Sequence, residues 1–119
     1  MMFYIIFGLM TGQDLQEVTD KSALEERAIT IYAERCSICH GELGAGDGPT
    51  AMAMNPKPTD FTQASYWSNR TDSYVIQQIK YGAPEVFMPA FPKIPEKQLE
   101  GLLELLKTFQ TNNNVPPME

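Results

Sequence analysis

Both cysteines and the single histidine of this 119-residue chain fall within five residues, Cys36-Ser37-Ile38-Cys39-His40. No other feature restricts the chain so strongly. A Cys36–Cys39 disulfide would close almost no loop, so a disulfide framework does not hold this fold together. A site needing two histidines from one chain is excluded as well. On a helix, Cys36 and Cys39 stand three apart and His40 stands four from Cys36. All three side chains then project from one face.

The pattern C-x-x-C-H has a chemical reading. Two thiols add across the two vinyl groups of one haem as thioethers, and the imidazole that follows sits under the iron as proximal ligand. Cys36 and Cys39 are the candidate attachment points and His40 the candidate axial ligand. Two other readings use the same residues. A dithiol redox pair is expected near a βαβ pattern, and none is legible here. Half a zinc site needs a fourth ligand, which only a carboxylate or another chain could supply.

With no second histidine, the sixth iron position falls to another side chain. Methionine is the leading class, because its thioether favours iron(II) and raises the potential. Met52, Met54, Met88 and Met118 lie downstream, and Met1, Met2 and Met10 lie at the N-terminus. Met88 is the choice. Pro89 holds it extended, and Phe87, Phe91 and Pro92 surround it with apolar bulk. Met52 and Met54 suit the lining of the pocket. A ligating histidine usually donates its other N–H to a carbonyl. The Pro49 carbonyl is one candidate, although Pro49 also simply shapes the turn after Gly46-Asp47-Gly48. For the haem propionates, Trp67 is the leading hydrogen-bond donor, with Tyr66 and Arg70 behind it.

Three segments have helical signals. Ser22-x-x-Glu25 reads as a capping box opening a helix, with Leu24, Ala28, Ile31 and Tyr32 on one stripe that leads into Cys36. A second helix is expected from about Thr71 to Tyr81. Thr71 or Asp72 caps its start, Val75, Ile76, Ile79 and Tyr81 form its apolar side, and Gly82 and Pro84 end it. A third starts near Pro95-Glu96 and carries Leu99, Leu102, Leu103, Leu106 and Phe109 on one face. Between the first two lies a long Gly/Pro-rich loop, of the kind that wraps a ligand. No strand is legible, so the fold class is all-α.

The chain carries 9 Lys+Arg against 15 Asp+Glu, a net charge of −6. That balance argues against nucleic acid as a partner. It suits an acidic surface that meets basic redox partners, or plain solvation. The opening run MMFYIIFGLM is too short to span a bilayer as a helix. Its length fits the core of an export signal, but the first basic residue is Lys21, so a charged n-region is missing. Residues 1–20 are therefore read as the remnant of such a signal or as an apolar extension packing on the domain or a partner, and residues 21–119 as one domain.

The runs CSICHGELGAGDGPTA and PKPTDFT, and the G-x5-MPAF stretch from Gly82 to Phe91, resemble bacterial class I cytochromes c over about Ala23 to Phe109. The resemblance implies three to five helices and long loops around one covalent haem c, with His40 and Met88 as axial ligands. It implies that the Pro49 carbonyl takes the His40 ring N–H. It also implies a periplasmic or equivalent extracytoplasmic location, since haem is attached there. Such proteins cross their terminal helices at a small residue and an aromatic. Here Ala28 stands for the usual glycine, with Tyr32 as the aromatic, and the extra methyl should widen the crossing slightly. The function expected is single-electron transfer, as a free shuttle or as a subunit of a respiratory complex, with no catalytic residue. The alternative is a haem protein whose Met88 dissociates for ligand sensing or catalysis.

Overall fold

A computed structural model describes residues 12–113. Helix α1 (Gly12–Ile31) passes into a wide π-helical turn (Tyr32–Cys36), and α2 (Ser37–His40) follows without a break. After a loop with a 3-10 turn at Ala51–Ala53 come α3 (Ala64–Ser68) and α4 (Asp72–Tyr81). A second 3-10 turn, Pro84–Val86, precedes α5 (Glu96–Asn113). Among the described residues the only β pairing is an isolated bridge between Ala83 and Met88.

The two best-signalled helices form where their caps predict. The Thr71 side chain accepts the Tyr74 N–H at 3.1 Å, satisfying a donor that the first turn leaves orphaned. Gly82 closes the same helix with a positive φ of 72°. Helix α5 buries Leu99, Leu102, Leu103, Leu106 and Phe109, the stripe read from the sequence. Full burial of Leu99 and Leu102 is worth about 1.5–3 kcal/mol each. On α4, Val75 and Ile79 are buried, whereas Tyr81 lies mostly in solvent.

Ser22 does not cap a helix, contrary to the capping-box expectation. Helix α1 already begins at Gly12, and Ser22 lies in its interior. A capping pattern acts only where the backbone N–H groups are still unpaired, and a continuing helix pairs them. The division at residues 20 and 21 falls inside this helix, while residues 1–11 lie outside the described ones.

The principal packing is α1 against α5, with α5 also meeting α4. Ala28 is buried at the α1–α5 crossing. The smallest residue there is Gly101 on α5, whose added Cβ would lie 3.3 Å from the Leu24 carbonyl oxygen and 3.8 Å from the Ala28 Cβ. The glycine thus sits on the opposite helix and makes room for the Ala28 methyl. Tyr32 meets the Phe109 ring with centroids 5.1 Å apart. These contacts fix α1, and through the wide turn they fix the helix that carries Cys39 and His40.

Candidate functional site

The wide turn and α2 carry Cys36, Cys39 and His40 on a wall beneath which the rest of the chain curls. Three segments hold this wall. The Tyr32 hydroxyl donates to the Gly41 carbonyl at 2.5 Å. The run Gly46–Thr50 returns along α2 and takes its last carbonyls: Gly46 N–H donates to His40, Gly48 N–H to Cys39 and Thr50 N–H to Ile38. The Thr50 hydroxyl adds a bond to the Ile38 carbonyl at 2.9 Å and lies 3.2 Å from the Cys39 Sγ.

The His40 Nδ1 lies 3.1 Å from the Thr59 carbonyl oxygen. A carbonyl only accepts, so Nδ1 carries the proton and the Nε2 lone pair is left available. Phe61 stacks on the imidazole at 4.7 Å, with 27° between the ring planes. Burial lowers the His40 pKa, and the Thr59 bond opposes that only in part. The ring is therefore neutral at neutral pH, the form that ligates metals.

The carbonyl that orients His40 thus comes from Thr59, and the expectation for Pro49 is corrected. The reason is the path of the loop. Residues 46–50 are committed to capping the carbonyls of α2, which leaves Pro49 exposed in a shallow depression with Ser37, Ile38 and Gly48. The chain crosses the histidine only later, at Pro58-Thr59.

A cavity of about 380 Å3 opens beside the wall. Cys36, Cys39 and His40 line one part of it, Met54 and Pro56 to Thr59 another, and Phe87, Met88, Pro89 and Phe91 a third. A second space of about 100 Å3 shares His40, Thr59, Tyr74, Gln78 and Met88 and reaches the buried Phe61 and Leu106 on one side and the exposed Arg70 on the other. His40 and Met88 are thus common to both. Met54 lines the larger cavity, whereas Met52 is 90% exposed and does not. Met1, Met2, Met10 and Met118 lie outside the described residues.

The Met88 loop is tightly held. Ala83 and Met88 exchange both backbone hydrogen bonds, at 3.0 and 3.1 Å, around the Pro84–Val86 turn. On the far side Phe91 N–H donates to the Ile79 carbonyl at 2.9 Å. Gly82 lets the loop lie this close. A Cβ there would stand 2.7 Å from the Met88 carbonyl oxygen and 2.8 Å from the Ala90 nitrogen.

Trp67 has a partner within the chain. Its indole N–H donates to the Phe61 carbonyl at 2.8 Å, and its side chain lines neither cavity. It braces Phe61, which in turn stacks on His40. Helix α3 turns the indole inward against Tyr66, at 5.1 Å and nearly perpendicular. Tyr66 and Arg70 do line the second space, and the Arg70 guanidinium sits 4.4 Å over the Tyr66 ring.

These residues fit a haem. The cleft is bounded by two free thiols, by an imidazole whose outer nitrogen is already satisfied, and by a methionine. They fit the competing readings poorly. Burial pushes the Cys36 thiol up to about 11, with Arg35 pulling it back only in part, so it lacks the thiolate character of a reactive dithiol. Among the described residues no group of three or more His, Cys, Asp or Glu side chains is arranged to hold a metal ion. No helix among them is long and apolar enough to cross a membrane.

The family model described as cytochrome C oxidase, cbb3-type, subunit III matches residues 23–106. No curated protein matches the chain. Among solved structures, a chain of the Kuenenia stuttgartiensis reducing HAO-like protein complex Kustc0457/Kustc0458 is similar, with 30% identity and a TM-score of 0.62. That match covers 79% of this chain and 46% of the other, so this chain spans less than half the length of that relative. The KustC0563 c-type cytochrome has 24% identity and a TM-score of 0.59, covering 70% of this chain and 96% of that one, and it shares the fold.

Proposed function

We propose that this chain, which belongs to the cytochrome c oxidase, cbb3-type, subunit III family of c-type cytochromes, is a monohaem electron carrier closed at both axial positions by its own side chains. Cys36 and Cys39 would hold haem c by thioether bonds, with His40 Nε2 and Met88 Sδ on the iron. The observation that carries this reading is that His40 and Met88, far apart in sequence, line the same cavity together with both thiols.

Bound haem c supplies a one-electron iron couple, and the chain's residues supply its setting. The Thr59 carbonyl and the Phe61 ring fix the plane of the imidazole before any electron moves. The paired Ala83–Met88 backbone would hold the thioether sulfur toward the iron. Phe61, Val75, Ile79 and Leu106 give one side of the adjoining space an apolar lining. With His40 and Met88 both holding the iron, no site would be left open for a substrate, which favours electron transfer over chemistry on a bound substrate.

The cavity mouth carries Arg35 and Lys57 beside Glu85, so the net acidity of the chain does not extend to this rim. A small transient interface there suits a redox partner. The relative found within a named complex supports a subunit role as much as a free shuttle. Thioether attachment favours an extracytoplasmic location.

The test is expression with a c-type maturation system, followed by a pyridine haemochrome spectrum. One haem per chain with a thioether-type spectrum is expected, and a chain without haem would overturn the reading. Met88→Ala should keep the haem, lose the near-infrared Met–iron band, lower the potential and bind carbon monoxide when reduced. A band that survives would move the ligand role to another residue. Rapid, tight carbon monoxide binding by the unaltered reduced protein would favour a dissociating methionine and a sensing or catalytic role instead.

A further inference from the structure

We infer that Phe87 is a positioning residue for Met88, acting through the left-handed conformation of its backbone and not through its ring. The inference rests on the reading of Met88 as the axial ligand and adds how the chain aims it.

Phe87 is the one non-glycine residue with a positive φ among those described, at φ 67° and ψ 19°. Glycine and asparagine adopt this region readily, but a bulky side chain there is strained. Phe87 borders the cavity beside Met88, but the residue is 68% exposed, so packing does not impose the conformation. The conformation has a visible effect on the next residue. The Pro84–Val86 turn winds right-handed, and Phe87 N–H closes it on the Pro84 carbonyl at 3.0 Å. The left-handed step then reverses the chain. Only after that reversal do the N–H and C=O of Met88 both meet Ala83.

The other restraints do not substitute for it. Gly82 presses on the Met88 and Ala90 backbone from behind, and Phe91 is tied to Ile79. Both limit how far the loop recedes, but neither sets the direction in which Met88 leaves it. Relaxing Phe87 to a right-handed or extended conformation would separate the Ala83–Met88 pair and swing the thioether out of the cavity that it shares with His40. Strain of this kind persists where surrounding structure over-determines it, and here it adjoins the proposed ligand.

The test uses four holoprotein variants. Phe87→Gly and Phe87→Asn remove the ring but tolerate the left-handed region. Phe87→Val and Phe87→Ile stay apolar but resist it. Readouts are the near-infrared Met–iron band and the affinity of the oxidised protein for imidazole, which competes with Met88. For Val and Ile the band should weaken and imidazole should bind about tenfold tighter. Gly and Asn should keep the band, and for Gly imidazole should bind about threefold more weakly, because the strain is relieved. If Val and Ile yield no holoprotein, the Gly result decides alone, with tighter imidazole binding overturning the inference. Equal weakening in all four would assign the effect to the ring and overturn it, as would no change in any. Met88→Ala separates the two levels. A band surviving that change defeats the ligand reading and this inference with it. A band lost there but unmoved in Val and Ile defeats only the role of Phe87.

Discussion

The Tyr32 hydroxyl donates to the Gly41 carbonyl at 2.5 Å, so a buried phenol on the core side of the molecule holds the residue directly after His40. The same ring packs on Phe109 of α5. One side chain thereby ties the helical core to the site wall. Tyr32→Phe keeps the ring contact and leaves the Gly41 carbonyl with only the 3.3 Å bond from the Gly44 N–H. A loss of about 0.5–1.5 kcal/mol is expected, read by denaturant unfolding of the holoprotein. The same bond gives a pH dependence. Burial, with smaller contributions from Cys36 and Asp47, raises the Tyr32 pKa far above its ordinary value. The unfolded phenol ionises near pH 10, roughly. The stability tied to the neutral phenol is therefore complete below that pH and is lost as pH rises toward the folded value. Unfolding curves of the native protein should weaken above roughly pH 10, and those of Tyr32→Phe should weaken less.

Pro49→Ala checks which carbonyl orients the histidine. Thr59 holds the Nδ1 proton, and Pro49 faces solvent on another side of α2. The visible spectrum and midpoint potential of the variant should equal those of the parent. A lowered potential with a shifted spectrum would return the role to Pro49.

Gly101 offers a graded test of the helix crossing. An alanine there places its Cβ 3.3 Å from the Leu24 carbonyl oxygen, a contact relieved by a shift of a few tenths of an ångström. That cost offsets the gain of about 0.8–1 kcal/mol from replacing glycine in a helix, so Gly101→Ala should be nearly neutral. Gly101→Val sets branched methyls against the same carbonyl and should cost about 1–3 kcal/mol in thermal unfolding.

Helices α4 and α5 were legible because caps, stripe and stop signals coincide on short stretches. Thr71, Gly82 and the leucines of α5 each do in the structure what their chemistry predicts. Ser22 misled because a capping pattern is local, and whether the helix has already started is not. Helix α3 went unseen, since five residues are too few to display a period and its start has no side-chain cap. The convergence of Cys36, Cys39 and His40 on one cavity was legible because their spacing on a helix alone sets it. Thr59 was not, because which carbonyl passes under His40 depends on the route of the whole 41–59 loop. The Trp67 indole N–H is a donor visible in the sequence, but its acceptor, a carbonyl six residues away, is set by the fold.

The π-helical turn at Tyr32–Cys36 also constrains how such a chain can change over time. An ordinary helix advances about 100° per residue, and the wide turn accommodates one residue more than that pitch allows. It works as a phase shifter between the core-facing stripe of α1 and the wall that carries the cysteines. Ala33, Glu34 and Arg35 in this turn are exposed, and the first two, which face no part of the cavity, are free to drift in side chain. Their number is not. Deleting any one of them would leave every hydrophobic contact of α1 in register and rotate Cys36, Cys39 and His40 together by roughly a quarter turn. Related chains should therefore vary freely in the letters at positions 33 and 34 while keeping the length of the stretch.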